Sequence, residues 1–116
     1  MSIERQNEIL PELREAVSAF LYPLKTRREV KKTAFARLEA AAAEATRICK
    51  TDDLLSKALL AEIFITTRAI EPEEEYVAVG DRATLRAMRE KLDVLFYLLI
   101  EGESPEDRVA GVPRII

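Results

Sequence analysis

Apolar residues recur along the chain at three- and four-residue intervals and nowhere alternate for long enough to suggest a strand, so helix is the one periodic signal. Ile9, Leu13, Ala16, Val17, Phe20 and Leu24 fall on one face of a first helix. That helix begins either near Ser2, with a kink at Pro11, or at Pro11 itself as the first helical residue; Pro23 lies near its end. A second helix is expected over about 26–50, with Val30, Ala34, Phe35, Leu38, Ala41, Ala42, Ala45, Ile48 and Cys49 as its core stripe. Its alanine run, LEAAAAEA, loses no side-chain entropy on becoming helical and lets a partner helix approach closely.

Thr51, Asp52 and Asp53 offer N-caps in a short connection. A third helix over about 53–70 should therefore pack antiparallel against the second. Asp81 caps a fourth, which runs to Glu101 and stops at Gly102, with Leu85, Met88, Leu92, Leu95, Phe96 and Leu99 facing the core. Between them, EPEEEYVAVG reads as a loop or one short helical turn. The pattern predicts an all-α fold: a compact antiparallel bundle of about four helices over residues 1–102, followed by an irregular C-terminal tail over 103–116.

Composition narrows the function classes more than it selects one. At 116 residues there is room for one domain, and an apolar fraction of 48% excludes disorder for the body of the chain. The 34% charged residues nearly balance, and a net charge of −3 with a pI near 5.2 argues against a dedicated nucleic-acid binder or a ligand for anionic membranes. One cysteine, Cys49, forbids an internal disulfide and fits a reducing, cytoplasmic setting. Its place on a core stripe makes it a small hydrophobe rather than a nucleophile. Histidine is absent, which removes the commonest general base and His-containing zinc sites. No cofactor is implied.

The nearest approach to chemistry is acidic. Glu71-x-x-Glu74 is followed by Glu90-x-x-Asp93. Two such pairs resemble the magnesium-holding carboxylates of the all-α nucleotide pyrophosphohydrolases, and the resemblance implies metal-dependent hydrolysis of a nucleoside triphosphate. Geometry opposes it. With Leu92 at the centre of the core face, Glu90 lies about 160° away and Asp93 about 100° away, so neither points inward. Pro72 interrupts the first pair. These acids read as surface decoration of helix ends, where the macrodipole favours them.

Glu62 is a different case, because it stands amid the apolar residues of the third helix. It marks a polar pocket, an ion pair to an arginine of another helix, or a helix that faces the core along a different edge. KTRREVKK places Lys25, Arg27, Arg28, Lys31 and Lys32 at the start of the second helix, and Arg82, Arg86 and Arg89 form a stripe along the fourth. Both clusters could contact an anion or nucleic acid, or serve as salt-bridge networks. Finally, Leu60, Phe64, Val94, Tyr97 and Leu98 leave the third and fourth helices apolar outside their main stripes. Such helices need a second surface to bury, either a symmetric homodimer or another protein, or cover from Val112, Ile115 and Ile116 of the tail. The resulting expectation is a non-enzymatic interaction module of the small adaptor, antitoxin or immunity type. A magnesium-dependent hydrolase and a nucleic-acid-associated regulator are the alternatives.

Overall fold

A computed structural model describes residues 2–108, and among them the secondary structure is entirely helical. A short α1 (Ser2–Gln6) leads through a 3-10 turn (Asn7–Ile9) into α2 (Leu10–Arg27). Then come α3 (Lys32–Cys49), α4 (Lys57–Ile70) and α5 (Arg82–Glu101), with 3-10 turns at Glu71–Glu75, Val79–Asp81 and Pro105–Asp107. No helix among the described residues is long and apolar enough to cross a membrane.

Pro11 explains the break near the N-terminus. It has no N–H, and its ring would collide with the carbonyl four residues back, that of Asn7. The chain tightens there, so that the Leu10 N–H bonds the Asn7 carbonyl, and resumes as α-helix with Pro11 in the first turn. Each of the two expected starts is half right: the chain is helical from Ser2, and a new helix opens at Leu10 with Pro11 as its second residue.

Two boundaries differ from expectation. Residue 28 adopts the left-handed conformation (φ 55°), and its N–H closes on the Leu24 carbonyl at 3.0 Å. The second long helix therefore starts at Lys32 rather than near 26. Lys25 and Arg27 then sit in the last turn of α2, where cations complement the macrodipole instead of opposing it. In α4 the cap is Ser56, whose hydroxyl accepts the Leu59 N–H at 3.3 Å, and not the Thr51-Asp52-Asp53 run. At the same end of the bundle Gly102 (φ 74°) stops α5 as expected, with the Glu103 N–H reaching the Leu98 carbonyl.

Long-range contacts fix the direction of each helix. Arg5 donates to the Ile48 carbonyl and Gln6 to the Leu54 carbonyl, so α2 and α4 start at the end where α3 finishes. Lys25 and Arg28 reach Glu73, joining the ends of α2 and α4. Arg47 and Lys50 pair with Glu106 and Asp107, which brings the ends of α3 and α5 together. Consecutive helices thus alternate in direction. The principal interfaces are α2 with α3, α3 with α5, α5 with α4 and α4 with α2. The third helix does not pack on the second: α3 and α4 are diagonal, and the 50–56 linker crosses the end of the bundle between them. A predicted antiparallel neighbour became a diagonal one because two parallel pairs, α2/α4 and α3/α5, complete the ring.

The interior is filled by Leu13, Phe20, Leu24, Leu38, Leu59, Ile63, Ile70, Leu85, Leu92 and Leu99, all essentially solvent-free. Phe20 and Phe35 meet edge to face at 5.4 Å across α2 and α3. Ala41, Ala42 and Ala45 are buried where α3 enters the core. Cys49 is buried as expected, and desolvation pushes its thiol up to about 11, which keeps it protonated and inert at neutral pH.

Candidate functional site

The carboxylates are the first place to look for chemistry. After α4 the chain tightens at Pro72 into the Glu71–Glu75 turn, which sends neighbouring side chains in opposite directions. Glu73 turns toward α2, with Lys25 at 3.7 Å and Arg28 at 3.5 Å, and the Arg28 guanidinium lies 4.8 Å over the Tyr76 ring. Glu74 turns toward α5 and is buried, with the Arg86 Nε at 3.4 Å and the Arg89 Nε in close contact. The surface position expected for Glu74 is therefore corrected: the turn folds back onto α5 and carries the carboxylate under the two arginines. Glu90 and Asp93 are exposed, and Asp93 lies 3.6 Å from Arg89. Glu71 and Glu74 of the first pair and Asp93 of the second lie around the Arg89 guanidinium, and no group of three acids or thiols that could hold a metal ion is found among the described residues.

The arginine stripe has the same partners. Arg82 donates to the Glu75 carbonyl at 3.1 Å, while Arg86 and Arg89 hold Glu74. Their charge closes onto the bundle's own turn instead of standing open as a row of anion contacts. The hydrogen bond from Arg89, and secondarily that from Arg86, holds the Glu74 carboxyl below the usual carboxylate range, against the opposing effect of burial. The sign of the linkage follows. A carboxyl depressed on folding contributes stability above its unfolded pKa and loses it as pH falls through the folded value. Stability should therefore be level from neutrality to about pH 5 and fall below about 4.5. In Glu74→Gln that acid limb should be shallower in urea titrations run at stepped pH; an unchanged limb would detach Glu74 from the acid sensitivity.

Glu62 is half-buried on the flank of α4, with the Arg14 Nε of α2 at 3.3 Å. It is an ion pair between parallel neighbours. The core face of α4 is Leu59, Ile63, Thr66, Thr67 and Ile70, rotated away from the Glu62-centred face that the sequence suggests. Thr66 and Thr67 enter the core because each hydroxyl returns to a backbone carbonyl of its own helix, to Glu62 at 2.6 Å and Phe64 at 2.7 Å.

The apolar residues outside the stripes do not form one patch. Phe64, half exposed, rests against Phe96 at 5.7 Å, where α4 meets α5. Leu60 lies one turn before Phe64, and the exposed Ile100 one turn after Phe96, so these four share one antiparallel seam. Val94 lies on the opposite flank of α5, beside α3. Tyr97 is partly covered by the Arg108 guanidinium, 5.8 Å from its ring. Leu98 is only 2% exposed and belongs to the core, so it is unavailable to a partner. Phe96, read from sequence as core, takes the outer place instead. Helix rotation decides this pair: α5 tilts its stripe toward α3, which draws Leu98 in and leaves Phe96 on the α4 flank.

A second feature was not foreseen. Between the parallel helices α3 and α5 runs an open groove of about 770 Å³, floored by Ala36, Ala40, Ala43, Ala87 and Val94. Toward the start of α3 it continues into a smaller depression of about 380 Å³, bounded by Lys32, Thr84 and Lys91. Its other end is walled by Pro105 and Arg108. The 104–107 turn that carries this wall is tied down by a capping box, Ser104 with Asp107, and by two ion pairs to the end of α3. The Arg47 guanidinium lowers the Glu106 carboxyl to about 2. The first part of the expected irregular tail is therefore an ordered turn docked on α3; Val112, Ile115 and Ile116 lie outside the described residues.

The fold and these surfaces define an all-helical bundle in which Glu62, Glu73 and Glu74 each face an arginine, with an aromatic seam and an alanine-floored groove among its accessible features. No family model, curated protein or solved structure matches the chain.

Proposed function

We propose that the chain is a non-enzymatic protein–protein interaction module of the bacterial cytoplasm, in the manner of small adaptor, antitoxin or immunity proteins, and that it self-associates through the α4/α5 seam. One observation carries this reading: Phe64, Phe96, Leu60 and Ile100 present a continuous apolar strip beyond the core, and Phe64 and Ile100 are each at least half exposed. A strip along an antiparallel helix pair is self-complementary under a two-fold axis, which lets the same residues meet their equivalents. Aromatic anchors at the centre of such a contact contribute most of its energy. Of the groups that would serve a hydrolase or an anion site, Glu74 is taken up by Arg86 and Arg89, Asp93 lies against Arg89, and Arg82 donates to the Glu75 carbonyl.

Phe64→Glu would place a charge in that contact and should lower the mass measured by light scattering across a concentration series. Tyr22→Glu is the control. Tyr22 is 64% exposed on α2, away from the seam, and its replacement should leave association unchanged. Equal masses for the wild type and Phe64→Glu would remove the seam from the reading.

A further inference from the structure

We infer that the α3/α5 groove is a docking site for an amphipathic helix of a different protein, one basic at its middle and acidic toward both ends. The groove's shape sets the class of occupant. Ala36, Ala40 and Ala43 recur at helical spacing on the outer face of α3, and Ala87 opposes them from α5. With only methyl groups on the floor, an incoming helix can settle close to both backbones. From Lys32 to Arg47 the groove is about 22 Å long, the length of four turns of helix.

Charge decides which helix. At mid-groove Glu39 and Glu90 stand on opposite walls, one from each helix, and neither forms an ion pair among the described residues. Glu39 is half-buried, so its missing counter-ion matters more than at a fully exposed site. Lys91 is the remaining mid-groove charge, and the centre is left net acidic. The ends are cationic: Lys32 at one, and Arg108 with Arg47 at the other. Arg47 is engaged with Glu44 and Glu106, and Arg108, seated over Tyr97, has no acidic partner among the described residues. A second copy of this chain is the wrong occupant. A two-fold axis across the groove would set Lys32 against Arg108 of its mate, and one along the groove would set each cation against itself. An arginine or lysine between Glu39 and Glu90, with acids one to two turns away on either side, complements all three zones.

The test uses the full-length chain and two labelled synthetic helical peptides of roughly 18 residues, enough to span the groove. Both have the same composition and the same small-residue and leucine stripe. One carries arginines in its central turn and glutamates in its end turns; the other has these exchanged. Fluorescence anisotropy should show the first binding about tenfold more tightly than the second, a difference of about 1.4 kcal/mol. The double variant Glu39→Lys/Glu90→Lys should reverse the preference. Ala40→Arg, which fills the floor at an exposed position, should abolish binding of both while circular dichroism stays unchanged. Equal affinity for the two peptides, no binding of either, or indifference to Ala40→Arg would overturn the inference. So would competition by a peptide of residues 109–116, because the chain's own end would then be the occupant. Self-association at the seam is read separately through Phe64→Glu, so either idea can fail without the other.

Discussion

Replacing Gln6 by alanine should destabilise the fold by about 3 kcal/mol, far beyond what a polar residue near the N-terminus usually costs. Gln6 is completely buried at the end of α1. Its Nε2 donates to Asp52 Oδ2 at 3.0 Å and to the Leu54 carbonyl at 2.8 Å, and its Oε1 accepts the Ser56 N–H at 2.7 Å. Asn7 adds a bond between its Oδ1 and the Ser56 hydroxyl at 2.5 Å. These contacts hold the linker that crosses diagonally from α3 to α4, whose ends are tied to the flanking helices by the Asp52 N–H to the Cys49 carbonyl and the Leu60 N–H to the Ser56 carbonyl. Alanine would remove three hydrogen bonds, leave buried donors and acceptors unpaired and open a cavity. Urea unfolding of Gln6→Ala should show a lower midpoint with little change in slope. A loss below about 1 kcal/mol would mean that the linker is held by something other than this side chain.

Phe20→Ala should cost about 3–5 kcal/mol, the largest effect expected from a single substitution in this chain. Phe20 is fully buried on α2 and meets Phe35 of α3 edge to face, so its removal deletes both burial and an oriented ring contact. Alanines at 41, 42 and 45 line the buried side of α3 and offer no bulk to collapse into the gap. A bundle this small has a total stability of the same order, so the variant should populate unfolded chain at room temperature. Leucine at position 20 should recover most of the loss. Thermal denaturation of the two variants separates volume from aromaticity, and full stability in Phe20→Ala would contradict the core described above.

The helices themselves were readable from periodicity, because each has a stripe that survives burial: Leu13 to Leu24, Phe35 to Cys49, and Leu85 to Leu99. Gly102 was readable for a local reason, since only a left-handed residue ends α5 there. The α4 face was not, because Leu60, Phe64 and Ile65 set apolar residues outside its core stripe while Thr66 and Thr67 stand within it; the two threonines could enter the core only by bonding their own backbone. The neighbour relations were also hidden. Nothing in the 50–56 linker announces that it crosses a diagonal, and the residue that holds it, Gln6, lies far away in the chain. The candidate sites suffered in the same way. Glu74 looked like decoration of a helix end because its partners, Arg86 and Arg89, come from the next helix. The groove depends on α3 and α5 being parallel neighbours, although the alanine run that floors it already suggested close helix approach.

The central claim is that this bundle acts through apolar helix faces, beginning with the Phe64 seam. Sedimentation equilibrium of the full-length wild type across a wide concentration range tests it most directly. The expected result is a reversible monomer–dimer equilibrium in the micromolar range that Phe64→Glu shifts to monomer. A wild-type chain that remains a single monomeric species at high micromolar concentration would contradict it.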